Sequence, residues 1–150
     1  MSCKSLFIAA ALLVPGLAMA FDPVADGPEV VKNADWKAMQ TITVNLDEHS
    51  YEPKNLTLKV GQPYKLVMKD VGEKKHYYTA PEFYKSIATR KAESAKDGEI
   101  KAPYFNAFEM MPGGGTLALY FVPMVKGTYP VYCTVDDHRQ QGMEGTIVVE

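Results

Sequence analysis

Six short stretches of this chain are rich in apolar residues, several of them alternating between apolar and polar positions, and Gly and Pro residues lie in many of the segments between them. Alternation with a period of two predicts β-strands with one buried face, and turns are expected where Gly and Pro interrupt it. Several short strands of this kind favour an all-β fold, an antiparallel β-sandwich. The predicted strands are Thr41–Leu46, Leu56–Val60, Tyr64–Met68, Leu117–Val122, Gly127–Cys133 and Gly145–Val149.

One stretch, Ala80 to Ala95, departs from this period. Phe83, Tyr84 and Ile87 recur at helical spacing there, and Pro81 suits the first turn of a helix. We therefore predict one inserted amphipathic helix, near residues 81–95. It either covers the core or recognises a partner.

The first twenty residues have the features of an export signal. A positive residue, Lys4, precedes the apolar run Leu6–Leu17, and Ala18-Met19-Ala20 supplies a small-residue cleavage pattern. A membrane anchor is disfavoured because a span needs about 20 apolar residues. We predict a signal peptide at 1–20, an N-terminal arm at 21–40, a single domain at 41–150, and a periplasmic location without stable membrane association after cleavage.

Charge and cysteine content narrow the possible functions. Loss of Lys4 changes the net charge from −2 to −3, which provides no basic field for nucleic acid. Cys3 lies in the signal, so Cys133 is the only thiol expected in the exported chain. An unpaired thiol in an oxidising compartment usually has a use, although a buried and inert cysteine is the alternative.

The segment from Cys133 to Met143 has the form Cys, four residues, His138, four residues, Met143. Thiolate, imidazole and thioether ligands suit copper that changes between Cu(I) and Cu(II), and such sites use two His, one Cys and a weak axial Met. A second His is therefore required. His76 follows a predicted strand and a turn, whereas His49 lies among polar residues where we expect it to be solvated.

These residues resemble the cupredoxin family, which includes plastocyanin, azurin and rusticyanin. The resemblance implies a Greek-key sandwich with one type 1 copper ion held by His76, Cys133, His138 and Met143. It also implies a one-electron carrier that is a monomer and not an enzyme. Its partners would be redox proteins or copper-handling proteins, and His138 would lie near the surface as an electron exit.

A narrower resemblance runs from His76 to Tyr84 and into the inserted helix. It is similar to periplasmic cupredoxins linked to copper tolerance, so copper handling is an alternative role. Storage would favour clusters of Met and His, and only Met110-Met111 stands out; we interpret that pair as part of the core or as a lid.

Two positions depart from the family pattern. Tyr77 stands where many members have Asn, so only its backbone N–H is expected to reach the thiolate, and the colour of the oxidised site stays open. Asp136 and Asp137 stand where relatives often have a Pro-Gly turn. Either these carboxylates lower the reduction potential or they point to solvent and are screened.

Enzymatic alternatives fit the sequence less well. A Cys-His hydrolase would use Cys133 and His138 but leaves Met143 and His76 unexplained. A multicopper oxidase would have His on both sides of the Cys, where this chain has Tyr132 and Thr134. Haem attachment would need a Cys-x-x-Cys-His motif, which the sequence lacks.

Overall fold

The structure is a computed structural model that describes residues 23–150. The signal peptide predicted at 1–20 lies outside the described residues. Two β-sheets pack face to face as a cupredoxin-like sandwich, which confirms the predicted fold class. The strands are Gln40–Asp47 (β1), Ser50–Glu52 (β2), Asn55–Leu58 (β3), Tyr64–Asp70 (β4), His76–Thr79 (β5), Ile87–Ser94 (β6), Gly98–Ile100 (β7), Ala107–Met110 (β8), Thr116–Pro123 (β9), Gly127–Tyr132 (β10) and Glu144–Val149 (β11).

The six strands expected from alternation are all present, as β1, β3, β4, β9, β10 and β11. One sheet has the order β2-β1-β4-β9-β6-β7, and the other has the order β3-β11-β10-β5-β8. Both sheets are mixed, because β1 pairs parallel with β4 and β3 pairs parallel with β11. The chain passes from one sheet to the other between β2 and β3, so no hairpin joins β1 to β4 or β3 to β11. Strands that are not joined by a hairpin can pair in parallel.

The core lies between the two sheets and follows the alternation of the strands. In β4, every second side chain points inward, from Tyr64 through Leu66 and Met68 to Asp70. Aromatic rings fill the centre, and Phe83 contacts the Phe121 ring edge to face at 5.5 Å between centroids. Burial of each large apolar side chain contributes about 1.5–3 kcal/mol, so this layer stabilises the frame that carries the site.

The helix predicted near residues 81–95 is confirmed only in its first part. It covers Pro81–Lys85 (α2), and Ser86 ends it, since both the Ser86 amide and hydroxyl donate to the Phe83 carbonyl. The rest of the stretch, predicted to be helical, is strand β6, which pairs with β9. Strand pairing with β9, which is long and buried, outweighs the local preference for a helix. The helical spacing of the apolar residues in this stretch indicates that they are buried, and it does not by itself determine the type of secondary structure.

The arm predicted at 21–40 contains a helix, Gly27–Asn33 (α1), and a 3₁₀ turn, Trp36–Ala38. Helix α1 packs against β6, and the Arg90 guanidinium of that strand stacks on the Trp36 ring at 4.6 Å from its centroid. Within residues 23–150, none of the helices has the length and apolar character needed to cross a bilayer.

Candidate metal centre

The sandwich brings three of the four predicted ligands together at one end. His76 begins β5 and Cys133 directly follows β10. These strands are antiparallel neighbours, with Thr79 opposite Tyr132, so the chain that continues past Tyr132 runs back along β5 toward His76. The loop after Cys133 then returns His138 to the same place.

The donor atoms of His76, Cys133 and His138 all lie within 4.8 Å of one another, and the three residues are buried. The Cys133 Sγ is 3.7 Å from the His138 Nδ1, and the two imidazole rings are 5.2 Å apart between centroids. Distances of this size leave room for one ion among three donors, since metal bonds to nitrogen and sulfur are about 2.0–2.3 Å long.

Backbone hydrogen bonds close the loop on itself. The Cys133 amide donates to the Met143 carbonyl, and the Met143 amide donates to the His138 carbonyl, both at 3.0 Å. Gly142 has a φ of 105°, a conformation that a side chain would strain, and it directs the chain back toward Cys133. Met143 is fully buried beside this closure. The loop therefore holds its side chains through its own main chain.

His76 gives the clearest sign that the cluster suits a metal. Both of its ring nitrogens are buried and have no hydrogen-bond partner among residues 23–150, a costly arrangement for a polar side chain without a ligand. Burial lowers the pKa of His76 below its ordinary value of 6.5, so the ring is neutral and has a free lone pair. A neutral imidazole, a thiol and a second imidazole are the donors that a copper site requires.

The backbone N–H and C=O of Tyr77 both have partners at the site. Its N–H donates to the Cys133 Sγ at 3.4 Å, which confirms that this amide reaches the sulfur. Its carbonyl accepts from the Tyr51 hydroxyl at 2.6 Å. Tyr51 thus holds the carbonyl of the same residue whose amide faces the sulfur, a link that the sequence pattern did not indicate.

The expectation that His138 lies near the surface is wrong, because only 2% of this residue is exposed. His49 packs against it, with ring centroids 4.8 Å apart in an edge-to-face arrangement. His49 itself is half-buried and has a φ of 62° at the tip of the β1–β2 turn. It was expected to be solvated, but it covers a predicted ligand.

The side chains of Asp136 and Asp137 are both exposed, which favours the interpretation that solvent screens them. Met110 is buried in the core, whereas 57% of Met111 is exposed, so the two do not form a common cluster. For a hydrolase, Cys133 would have to reach a substrate, and its thiol is buried under the loop. The arrangement is better suited to enclosing an ion than to attacking a substrate.

Glu48 is a neighbour of the site that sequence reasoning missed. Its Oε1 lies 3.7 Å from the Nε2 of His76. The two residues are separated by 28 positions, and nothing in the local pattern links them. The available signal was the position of Glu48 next to His49 in the turn after a predicted strand.

Comparison with known proteins supports the fold. Residues 28–149 match the model of a family described as the cupredoxin-like domain. No curated protein sequence matches the chain significantly. The family match begins within the predicted arm, in α1.

Solved structures with the same fold include an auracyanin from Roseiflexus castenholzii, 21% identical, with a TM-score of 0.52 over 79% of this chain and 99% of that chain. A multicopper oxidase from Pseudomonas thermotolerans is 17% identical, with a TM-score of 0.58 over 79% of this chain and 31% of that chain. A copper nitrite reductase from Nitrosomonas europaea is 12% identical, with a TM-score of 0.56 over 79% of this chain and 52% of that chain. At these identities the likeness concerns the fold, and the two enzymes extend well beyond the part that this chain matches.

Proposed function

Because the chain belongs to the family of cupredoxin-like domains, we propose that it is an exported one-electron carrier with a single type 1 copper ion. The ligands are His76, Cys133, His138 and Met143. When bound, copper supplies the one-electron change between Cu(II) and Cu(I). The observation that carries the proposal is the buried cluster of two imidazoles and a thiol; within the described part of the chain, the ring nitrogens of His76 have no hydrogen-bond partner.

The surroundings of the cluster suit electron transfer. The donors lie on a strand, a strand end and a loop closed by its own hydrogen bonds, so they change position little between the two oxidation states. The Tyr77 N–H faces the Cys133 sulfur, where a hydrogen bond draws electron density from a thiolate. Burial excludes water as an additional ligand.

The electron path to a partner leads outward through His138, whose ring His49 covers. His49 is the more exposed ring, and it contacts His138 by its edge. A redox protein that docks at this end of the sandwich would meet the β1–β2 turn before it meets a copper ligand.

Titration of the copper-free protein with Cu(II) tests the site. One equivalent should produce intense visible absorption from thiolate-to-copper charge transfer, reductant should bleach it, and oxidant should restore it. Cys133→Ser should remove the absorption, whereas the matched control Met111→Leu, at an exposed methionine, should retain it. Absence of the band from the parent protein, or its persistence in Cys133→Ser, would refute the proposal.

Copper tolerance remains the alternative physiological role of the same site, supported by the resemblance of the His76–Tyr84 segment. Gene deletion separates the two roles. Impaired respiration at ordinary copper levels would support the carrier. Copper sensitivity with normal respiration would support copper handling instead.

A further inference from the structure

Glu48 is held firmly at the tip of the β1–β2 turn, facing the loop that precedes His76. Its Oε1 accepts hydrogen bonds from the Glu73 amide at 2.8 Å and from the Lys74 amide at 3.0 Å. Two amide donors fix the position of a side chain that is otherwise half exposed. The same oxygen lies 3.7 Å from the Nε2 of His76.

The packing at Gly72 shows how closely this carboxylate approaches the imidazole. A Cβ added at Gly72 would lie 2.7 Å from the Glu48 Oε1 and 3.0 Å from the His76 Nε2. Any larger residue would have to push one of these groups away. The absence of a side chain at this position therefore allows the carboxylate and the ring to share one small space.

The orientation of His76 follows from this contact. Its two ring nitrogens point in different directions, and Nε2 faces Glu48. Nδ1 is therefore the nitrogen that is turned away from Glu48 and available to a metal.

On the basis of the proposed copper function, we infer that Glu48 is a positioning residue for His76 and that its negative charge holds the reduction potential of the centre down. A carboxylate behind the imidazole orients the ring and strengthens its donation, as carboxylates do behind metal-bound histidines. Its charge stabilises Cu(II) more than Cu(I), because the oxidised site carries one more positive charge.

Asp70 is the other carboxylate close to His76, but it has a different partner. Its Oδ1 accepts from the Gly72 amide at 2.9 Å, and its side chain is buried within β4. It holds the turn that places Gly72. Glu48 is the carboxylate that faces the Nε2.

The test compares Glu48→Gln with Glu73→Gln in copper-loaded protein. Gln at position 48 keeps a carbonyl oxygen for the two amides and removes only the charge. Glu73 is an exposed carboxylate on the facing loop, so its replacement removes the same charge without touching the ring. We expect a higher reduction potential in Glu48→Gln than in the parent, with one copper still bound, and little change in Glu73→Gln.

Equal shifts in the two variants, or no shift in Glu48→Gln, would overturn the inference. Gly72→Ala provides a second route. Its methyl group would lie nearer to the Glu48 Oε1, at 2.7 Å, than to the His76 Nε2, at 3.0 Å, so we expect it to displace the carboxylate first and to raise the potential without changing the charge of the chain. An unchanged potential in Gly72→Ala would likewise count against Glu48. Failure of the proposed function would show separately, as a parent protein that gives no copper absorption.

Discussion

Replacement of Tyr51 by Phe tests the link between β2 and the sulfur of the site. The Tyr51 hydroxyl donates to the Tyr77 carbonyl at 2.6 Å, and burial raises its pKa well above the ordinary value, so it remains a donor at any working pH. Phe keeps the ring and its edge-to-face contact with Tyr78, at 5.1 Å between centroids. The substitution therefore removes one hydrogen bond and leaves the Tyr77 carbonyl without this partner.

Loss of a partner by a buried acceptor costs about 1–3 kcal/mol. With a urea m-value of about 2 kcal/mol/M for a domain of this size, the unfolding midpoint should fall by roughly 0.5–1.5 M. Urea unfolding of the copper-free protein, followed by tryptophan fluorescence and circular dichroism, measures this. Tyr104→Phe is the matched control, because it removes the same hydroxyl from an exposed ring.

The same substitution should affect the copper site. The backbone of Tyr77 is freer to shift once its carbonyl is released, and a shift of this residue weakens the contact of its N–H with the Cys133 sulfur. Electron density then returns to the thiolate, Cu(II) is favoured, and the reduction potential should fall. A Tyr51→Phe protein with the stability and potential of Tyr104→Phe would refute this reasoning.

Three further results are expected. Met143→Leu should keep copper and raise the reduction potential measured by voltammetry, because loss of a weak thioether ligand disfavours Cu(II); an unchanged potential would remove Met143 from the site. His49→Ala should expose the edge of His138, so oxidation of the Cu(I) protein by hexacyanoferrate(III) should become severalfold faster in stopped-flow measurements. An unchanged rate would contradict the proposal that His49 covers His138. Burial raises the pKa of Asp70 above its ordinary value of 3.8, so the folded protein favours the protonated carboxyl. The contribution of Asp70 to the free energy of unfolding is therefore fully present below pH 3.8 and is lost as the pH rises through the raised pKa. Asp70→Asn should therefore stabilise the copper-free protein at pH 7 against urea, by a margin that shrinks toward pH 3, and a margin independent of pH would contradict it.

Local sequence patterns were sufficient for the sandwich. Alternation in β1 and β4 identifies the inward faces directly, because side chains on a strand point to opposite sides in turn. Strand β6 escaped prediction because its buried residues Ile87, Ala88 and Ala92 recur at a spacing that also fits a helix, although Ala88 lies against helix α1 and not in the core between the sheets. Only its pairing with β9, a contact between distant residues, decides between the two.

The metal cluster was predictable to the extent that it depends on residue types and spacing. The loop from Cys133 to Met143 contains three candidate ligands within a short segment, and few alternatives remained for the second imidazole. The contacts of Glu48 and His49 were not predictable. They depend on how the β1–β2 turn folds over the end of the sandwich, and no local pattern contains that information.

The deep position of Cys133 matters also for the protein before it acquires copper. A thiol must be ionised and accessible to be oxidised or to join another thiol, and only 1% of this residue is exposed. Folded, metal-free molecules are thus protected from sulfenic acid formation and from covalent dimers before they bind an ion. The fold that shapes the ligand cluster also preserves its most vulnerable atom.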